Sequence, residues 1–148
     1  MCIRDRDSAL QSYAVIRLER ELFALNLDLV REFSHLRGIA PVPCCPAHIL
    51  GNMNLRGDIL TIADIRPALG LSTQGSLAEV VVVQAGGLLF GLPASEIIAV
   101  AHLAAADIVA MPAVSERALK AYCSGAASAL GQTLGILDLE KIIAAREL

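Results

Sequence analysis

Short stretches that alternate apolar and polar side chains dominate this sequence and restrict it to a sheet-rich fold. In the stretch FALNLDL, residues 23–29, every second residue is Phe or Leu. A period of two places one face of a strand in the core and the other in water. Comparable stretches follow at regular spacing, with turn residues between them. The sequence therefore predicts an all-β sandwich or barrel of about ten short strands with only short helices.

The strand pattern occurs twice along the chain. A first set begins with YAVIRL and ELFALNLDLV, and it ends before the loop STQGS, residues 72–76. A second set restarts with EVVVVQAGGLLFGL, in which Gly86 and Gly87 suit a hairpin turn. We expect two small barrels with a boundary near residues 72–78. Asp138 suits the N-cap of a C-terminal helix over Leu139–Glu147.

The first ten residues differ from the rest of the chain. Charges alternate in MCIRDRDS without an apolar face, which predicts a disordered leader over residues 1–10, of native or foreign origin, before a domain over residues 11–148. The net charge of −3 and the absence of a Lys/Arg cluster argue against nucleic acid as a partner. No uninterrupted apolar run of about 20 residues is present, so we expect a cytoplasmic protein without direct membrane insertion.

Groups with catalytic potential are sparse. No histidine lies in an HExxH motif, no serine lies in a GxSxG motif, and no phosphate-binding glycine loop precedes a Lys-Ser/Thr pair. The acids Glu32, Asp58 and Asp64 are scattered over strands, where solvated charges are more common than an acid–base pair. The sequence therefore predicts no enzyme and no cofactor.

The adjacent cysteines Cys44 and Cys45, with His48, raise the possibility of a metal site. Their spacing matches no standard zinc pattern, and adjacent cysteines rarely bind one metal alone. We expect reduced thiols here and no metal.

The segment GNMNLRG places Arg56 between two bends marked by Gly51 and Gly57. Two interpretations of this arginine remain open at this point. It is either a turn residue in water, or an interface residue held in a fixed pose by a carboxylate such as Glu32.

The order of the segments resembles the CheW-like family of chemotaxis coupling proteins, from about Tyr13 to the C-terminus. The most specific part is the pattern P-A-x-I-x-G-x-x-N-L-R-G-x-I-x-x-I-x-D-I-R. Its residues here are Pro46, Ala47, Ile49, Gly51, Asn54, Leu55, Arg56, Gly57, Ile59, Ile62, Asp64, Ile65 and Arg66.

The resemblance implies two SH3-like five-stranded β-barrel subdomains with a groove between them, and a non-catalytic adaptor function. The family's proteins couple the cytoplasmic tips of chemoreceptors (methyl-accepting chemotaxis proteins) to a CheA-type sensor histidine kinase. The receptor's helical hairpin would lie in the groove, and the kinase's regulatory domain would dock barrel against barrel. The expected location is the receptor array at the inner face of the membrane.

The resemblance also assigns roles to individual residues. Arg56 matches a key receptor contact that pairs with a glutamate, here Glu32. The receptor-binding positions are Val30, Glu32, Asn54, Leu55, Arg56, Ile59 and Val80. The kinase-binding positions are Ile49, Gly51 and Gly57.

Some positions depart from the family pattern. Pro93, Ala94 and Ser95 stand where a Val-Asp pair is usual, which puts a contact of the second barrel in doubt. Asn52 replaces an apolar residue and Thr61 replaces a common proline. These departures keep open an adaptor of a type IV pilus or surface-motility pathway. Two further functions stay open. One is a small β-barrel enzyme or ligand-binding barrel, which belongs to a different class, and the other is the regulatory module of a larger kinase or response-regulator fusion.

Overall fold

A computed structural model describes residues 10–43, 49–85, 87–110, 122–129 and 131–144 of the chain. Within these residues the fold is built almost entirely of strands, as the sequence predicts. The strands are β1 (Leu10–Leu18), β2 (Glu21–Asn26), β3 (Val30–His35), β4 (Ile49–Leu55), β5 (Asp58–Ala63), β6 (Glu79–Ala85), β7 (Leu88–Ala94), β8 (Glu96–Ala104), β9 (Cys123–Ala129) and β10 (Gln132–Leu137). Short 3₁₀ turns span Leu27–Leu29 and Ala105–Asp107, and the helix α1 spans Leu139–Ala144.

The predicted C-terminal helix is present and begins at Leu139, as expected. The backbone amide of Lys141 donates to Asp138 Oδ1 over 3.2 Å, so Asp138 caps the helix. The end of the predicted helix at Glu147 lies outside the described residues. Residues 1–9 of the expected leader lie outside them as well, and Leu10 already belongs to β1.

The strands form two five-stranded sheets with the same pattern of pairing. Sheet A has the order β8-β1-β2-β10-β9, and sheet B has the order β3-β6-β7-β5-β4. In each sheet one pair is parallel, β2 with β10 and β5 with β7, and the other pairs are antiparallel. A single strand arrangement is thus used twice.

Each sheet closes into a barrel through one short bridge. In sheet B, Ala40 and Asn52 exchange backbone hydrogen bonds of 2.8 and 2.9 Å, which join the segment after β3 to β4. In sheet A, Val109 and Ala126 exchange two hydrogen bonds of 2.8 Å, which join the segment after β8 to β9. Closure satisfies backbone groups that an open edge would expose. We call the closed sheets barrel A and barrel B.

The barrels do not divide the chain into consecutive halves, in contrast to the expected boundary near residues 72–78. That segment connects β5 to β6, which both belong to barrel B. Barrel A takes β1 and β2 from the first set of strands and β8, β9 and β10 from the second. Barrel B takes the complementary strands. The restart of the sequence pattern therefore marks a repeat of five strands, and the two repeats exchange strands.

Among the described residues, three apolar clusters form the core. One lies within barrel A and includes Val15 and Leu134, and a second lies within barrel B and includes Leu60 and Val82. The third and largest, here called the shared core, lies between the barrels and takes side chains from both sheets and from α1. Its members are Ala14, Ile16, Leu18, Phe23, Leu25, Ala63, Ile65, Leu69, Val81, Val83, Ala85, Phe90, Leu92, Ala94, Cys123, Leu137, Leu139 and Ile142.

Candidate functional site

The hairpin of β4 and β5 presents Arg56 at the tip of a two-residue turn. Leu55 pairs with Asp58, so Arg56 and Gly57 alone form the connection. Both have positive φ, 51° and 90°, as a type I′ hairpin turn requires. The turn is stabilised by Asn54, whose Oδ1 accepts a hydrogen bond of 2.9 Å from the Gly57 amide. Arginine is a strained choice in the left-handed region, which costs roughly 1–2 kcal/mol for a residue with a Cβ.

Arg56 is held by a carboxylate from the opposite edge of barrel B. Its Nη2 donates to Oε1 of Glu32 on β3. The side chain of Arg56 is 72% exposed and that of Glu32 is 33% exposed. A pair this exposed contributes about 0–1 kcal/mol to folding. The pair therefore orients the guanidinium at the surface more than it stabilises the barrel.

A β-bulge in β3 turns Glu32 toward this hairpin. The register with β6 shifts between Val30 and Glu32, so that Val30 pairs with Val83 and Glu32 with Val82. Val83 belongs to the shared core and Val82 to the interior of barrel B. Val30 and Glu32, two residues apart, consequently lie on opposite faces of the sheet, which regular alternation would not allow. Val30 is partly buried against the shared core.

The remaining receptor-binding candidates differ in exposure. Ile59, which pairs with Asn54 in the same hairpin, is 76% exposed, an unusual position for a large apolar side chain. Leu55 is partly buried against the interior of barrel B. One hairpin therefore exposes an apolar side chain, Ile59, and a charged one, Arg56. Asn54 stabilises the turn that carries Arg56.

Val80 does not lie at a surface, in contrast to its predicted role. It has 0% exposure and belongs to the interior of barrel B. A side chain in this position stabilises the barrel and cannot contact a partner while the protein is folded.

Phe33, which the sequence did not single out, is 41% exposed on β3, opposite Val81 of the shared core. The alternation of residues in VREFSH, residues 30–35, was the sequence signal that could have indicated this exposure.

Of the kinase-binding candidates, only Ile49 contributes a side chain. Gly57 completes the hairpin turn. Gly51 is buried with a φ of 146°, and a Cβ there would overlap the carbonyl oxygen of Ala40 at the closing bridge of barrel B. Both glycines are thus required by the backbone. Ile49 lies in an apolar cleft of about 170 Å³ formed with Thr61, Ala63, Leu88, Leu89 and Phe90.

The exposed part of this cleft is the tip of the β6–β7 hairpin. Leu88 is 45% exposed and Leu89 is 52% exposed. Two adjacent exposed leucines beside a cleft form an apolar patch typical of a protein contact. The sequence assigned this stretch to a hairpin, but periodicity alone did not indicate that the leucines face outward.

The described titratable groups do not converge on a catalytic arrangement. Glu32 pairs with Arg56, whereas Asp64 pairs with Arg66 at 2.9 Å. Burial raises the pKa of the Cys123 thiol to about 11, so this sulfur stays protonated and poorly nucleophilic at neutral pH.

The described histidines have separate partners. His35 Nδ1 lies 2.8 Å from Glu79 Oε2, and His102 Nδ1 lies 2.9 Å from Ser12 Oγ. In the part of the chain that the structure describes, no three His, Cys, Asp or Glu side chains are grouped to hold a metal ion. Cys44, Cys45 and His48 lie outside the described residues.

Comparisons with known proteins agree on one family. A family model described as the CheW-like domain matches residues 12–147. The chain is 25% identical over 133 residues to Chemotaxis protein CheW of Rhizobium meliloti (strain 1021), with 88% of this chain and 86% of that protein aligned. It is 24% identical over 154 residues to Chemotaxis protein CheW of Treponema pallidum (strain Nichols), covering 100% of this chain and 89% of that protein.

A solved structure shares the fold. The crystal structure of the scaffolding protein TtCheW from Thermoanaerobacter tengcongensis superposes with a TM-score of 0.74. The match covers 86% of this chain and 88% of that one, at 23% identity. Among the described helices, none has the length and apolar character needed to cross a membrane.

Proposed function

The chain belongs to the CheW-like domain family of chemotaxis scaffolding proteins, and we propose that it couples chemoreceptor cytoplasmic tips to a CheA-type sensor histidine kinase. It acts without chemistry of its own, as a scaffold rather than an enzyme. Its place in the cell is the receptor array at the inner face of the membrane. The observation that carries the proposal is the β4–β5 hairpin, where an exposed arginine is held in a fixed pose beside an exposed isoleucine.

The receptor contact is assigned to the surface around Arg56. A helical hairpin docks by apolar contacts and is oriented by a few charges. Ile59 supplies exposed apolar area, Arg56 supplies the charge, and Glu32 fixes the direction of the guanidinium. Because the side chain is already held in one pose, less conformational entropy is lost on binding. The exposed Phe33 and the partly buried Val30 extend the apolar surface along β3.

The kinase contact is assigned to the cleft at Ile49. The regulatory domain of the kinase docks there barrel against barrel, with Leu88 and Leu89 as the apolar contacts. Gly51 and Gly57 act indirectly, because they set the backbone of the hairpin that carries the neighbouring side chains. The two contacts use different side chains and can be separated by mutation.

The test is a binding titration of the full chain against a receptor cytoplasmic hairpin and, separately, the kinase regulatory domain. Arg56→Ala is expected to weaken receptor binding by about tenfold or more, as for an arginine hot spot of about 1.4 kcal/mol, and to leave kinase binding unchanged. Arg20→Ala is the matched control, because Arg20 is an exposed arginine in the two-residue turn between β1 and β2 of barrel A. Leu89→Asp is expected to weaken kinase binding and to leave receptor binding unchanged.

Two outcomes would contradict the proposal. If the wild-type chain bound neither piece, the adaptor function would be wrong. If Arg56→Ala bound the receptor as well as Arg20→Ala does, Arg56 would be a turn residue and the receptor surface would lie elsewhere.

A further inference from the structure

A buried ionic network connects the two barrels. Arg66 follows β5, and its side chain is 5% exposed, as is that of Asp64. The Arg66 Nε lies 3.0 Å from Asp64 Oδ1, and its Nη2 lies 2.9 Å from Asp64 Oδ2. This two-point pair neutralises both charges within barrel B. The hydrogen bonds to Asp64 raise the pKa of the Arg66 guanidinium, so it remains charged at any physiological pH.

The remaining donor of Arg66 reaches the other barrel. Its Nη1 donates to Glu19 Oε1 over 2.7 Å and to the carbonyl oxygen of Gly75 over 2.9 Å. The amide of Gly75 donates to the same Glu19 oxygen over 2.9 Å. Glu19 lies in the β1–β2 turn of barrel A, whereas Arg66 and Gly75 lie in the β5–β6 connection of barrel B. We call Glu19, Asp64, Arg66 and Gly75 the inter-barrel clamp.

The clamp is a third connection between barrels that the described chain crosses only twice, at residues 27–29 and at Ser95. The shared core between the barrels consists of apolar side chains, and apolar contact is non-directional. Charge-assisted hydrogen bonds require particular distances and directions. The clamp therefore adds a directional restraint to the contact that the shared core makes.

The backbone at Glu19 supports this function. Its φ is 58°, in the left-handed region that a residue with a Cβ rarely adopts. The strain is retained because the carboxylate is engaged by two donors from the other barrel. An asparagine or glycine would suit the turn better, but neither side chain reaches Arg66.

We propose that the inter-barrel clamp fixes the orientation of barrel A relative to barrel B, and with it the groove that the receptor hairpin occupies. The second part rests on the proposed receptor-coupling function. The clamp residues are positioning residues: Asp64 and Arg66 are buried, Glu19 and Gly75 are partly buried, and all four act through the placement of the barrels.

Two variants break the clamp in independent ways while leaving the buried pair intact. Glu19→Asn removes the reach to Arg66, keeps a residue that tolerates positive φ, and leaves Arg66 neutralised by Asp64. Gly75→Ala adds a Cβ that overlaps Glu19 Oε2 and forces the carboxylate away, without changing any charge. Arg66→Ala is unsuitable, because it would leave Asp64 buried and unpaired. Glu96→Gln is the matched control, since it breaks an exposed ion pair with Arg17 inside barrel A.

The first measurement is the distance between spin labels at Gln84 of barrel B and Ser128 of barrel A. Both positions are exposed, and the labels go into a chain whose native cysteines are replaced. Unlabelled samples are checked for the wild-type circular dichroism spectrum. We expect one narrow distance distribution for wild type and Glu96→Gln, and a displaced or broadened one for Glu19→Asn and Gly75→Ala. An unchanged distribution in both clamp variants would overturn the proposal.

The second measurement is binding. Receptor affinity is expected to fall by about tenfold in both clamp variants, because the receptor hairpin lies in the groove between the barrels and meets barrel A as well as the Arg56 surface of barrel B. Kinase affinity is expected to change by less than about twofold, because its contact is assigned to the Ile49 cleft within barrel B. Displaced labels with unchanged receptor binding would overturn the link to the groove. If wild type bound neither partner, the proposed function would be wrong, and the label distances would still decide whether the clamp orients the barrels.

Discussion

Arg56 combines local strain with a fixed surface pose, and this combination leads to a prediction about stability. Its φ of 51° suits asparagine or glycine better than arginine. Arg56→Asn is expected to raise the free energy of unfolding by roughly 0.5–1 kcal/mol while weakening receptor binding. The variant also loses the ion pair with Glu32, but this loss reduces the gain in stability only slightly, because exposed ion pairs contribute little to folding.

Chemical denaturation and the receptor titration together check this prediction. Glu32→Gln serves as the control, since it removes the same ion pair without changing the turn. A variant that is less stable than wild type would contradict this prediction, because Arg56 would then stabilise the turn more than asparagine does.

Individual residues also show what the sequence can predict about the site. The pairing of Arg56 with Glu32 was predicted through the family resemblance, and the structure brings the two residues together. Val80 was misplaced because it lies in a run of four valines, which has no period and therefore does not indicate a face. The exposure of Leu88 and Leu89 was missed for the same reason, since apolar residues in an uninterrupted run are predicted to be buried.

At the level of elements, the sequence predicts strands well and bulges poorly. Alternation identified β2, although the same pattern continues through Leu27–Leu29, which form a 3₁₀ turn. The glycine pair at residues 86 and 87 identified the hairpin between β6 and β7, because both signals are local. The bulge that turns Glu32 toward the β4–β5 hairpin depends on the pairing of β3 with β6. These strands are far apart in the sequence: Glu32 and its partner Val82 are separated by 50 residues. No local pattern specifies such a register, so the faces of Val30 and Glu32 could be known only from the structure.

The closing bridge of barrel B yields a prediction at this scale. Gly51→Ala is expected to destabilise the protein by about 3 kcal/mol or more, because the new Cβ overlaps the Ala40 carbonyl and the residue already has positive φ. Gly87→Ala is the matched control: its φ is 79°, but its Cβ would meet open space. The control is expected to cost only the backbone term of about 1–2 kcal/mol.

The difference between the two variants in urea denaturation isolates the steric term. Equal losses would mean that the bridge between Ala40 and Asn52 adapts to the added methyl group. In that case the closing bridge would not explain the glycine at position 51.

For the whole molecule, the sequence shows the repeat of strands but not how the two repeats are arranged in the barrels. The pattern restarts after STQGS, which suggested two consecutive barrels. Alternation reports which face of a strand is buried and says nothing about its partner strand, so exchange between the repeats is invisible to it. The equivalent bridges at Asn52 and Ala126 show that both repeats keep the same closing device.

Strand exchange leads to a prediction about fragments. If the barrels were consecutive, chains 1–72 and 73–148 would each fold alone. In the observed topology each barrel needs strands from both fragments, so each fragment alone exposes the faces that form the cores. Each fragment is expected to be unfolded by circular dichroism, and a mixture is expected to recover the strand signal as a 1:1 complex. The cut lies between Ser72 and Thr73, which are exposed, so it removes no core contact.

Refolding of the mixture also tests the order of assembly. Because neither barrel is complete without the other fragment, the rate of recovery should rise with fragment concentration, as for an association step. Fragments that fold separately, or a recovery rate that does not depend on concentration, would contradict the exchanged topology. Glu19→Asn in the first fragment should still allow the complex to form, since the shared core joins the fragments and the clamp only orients the barrels.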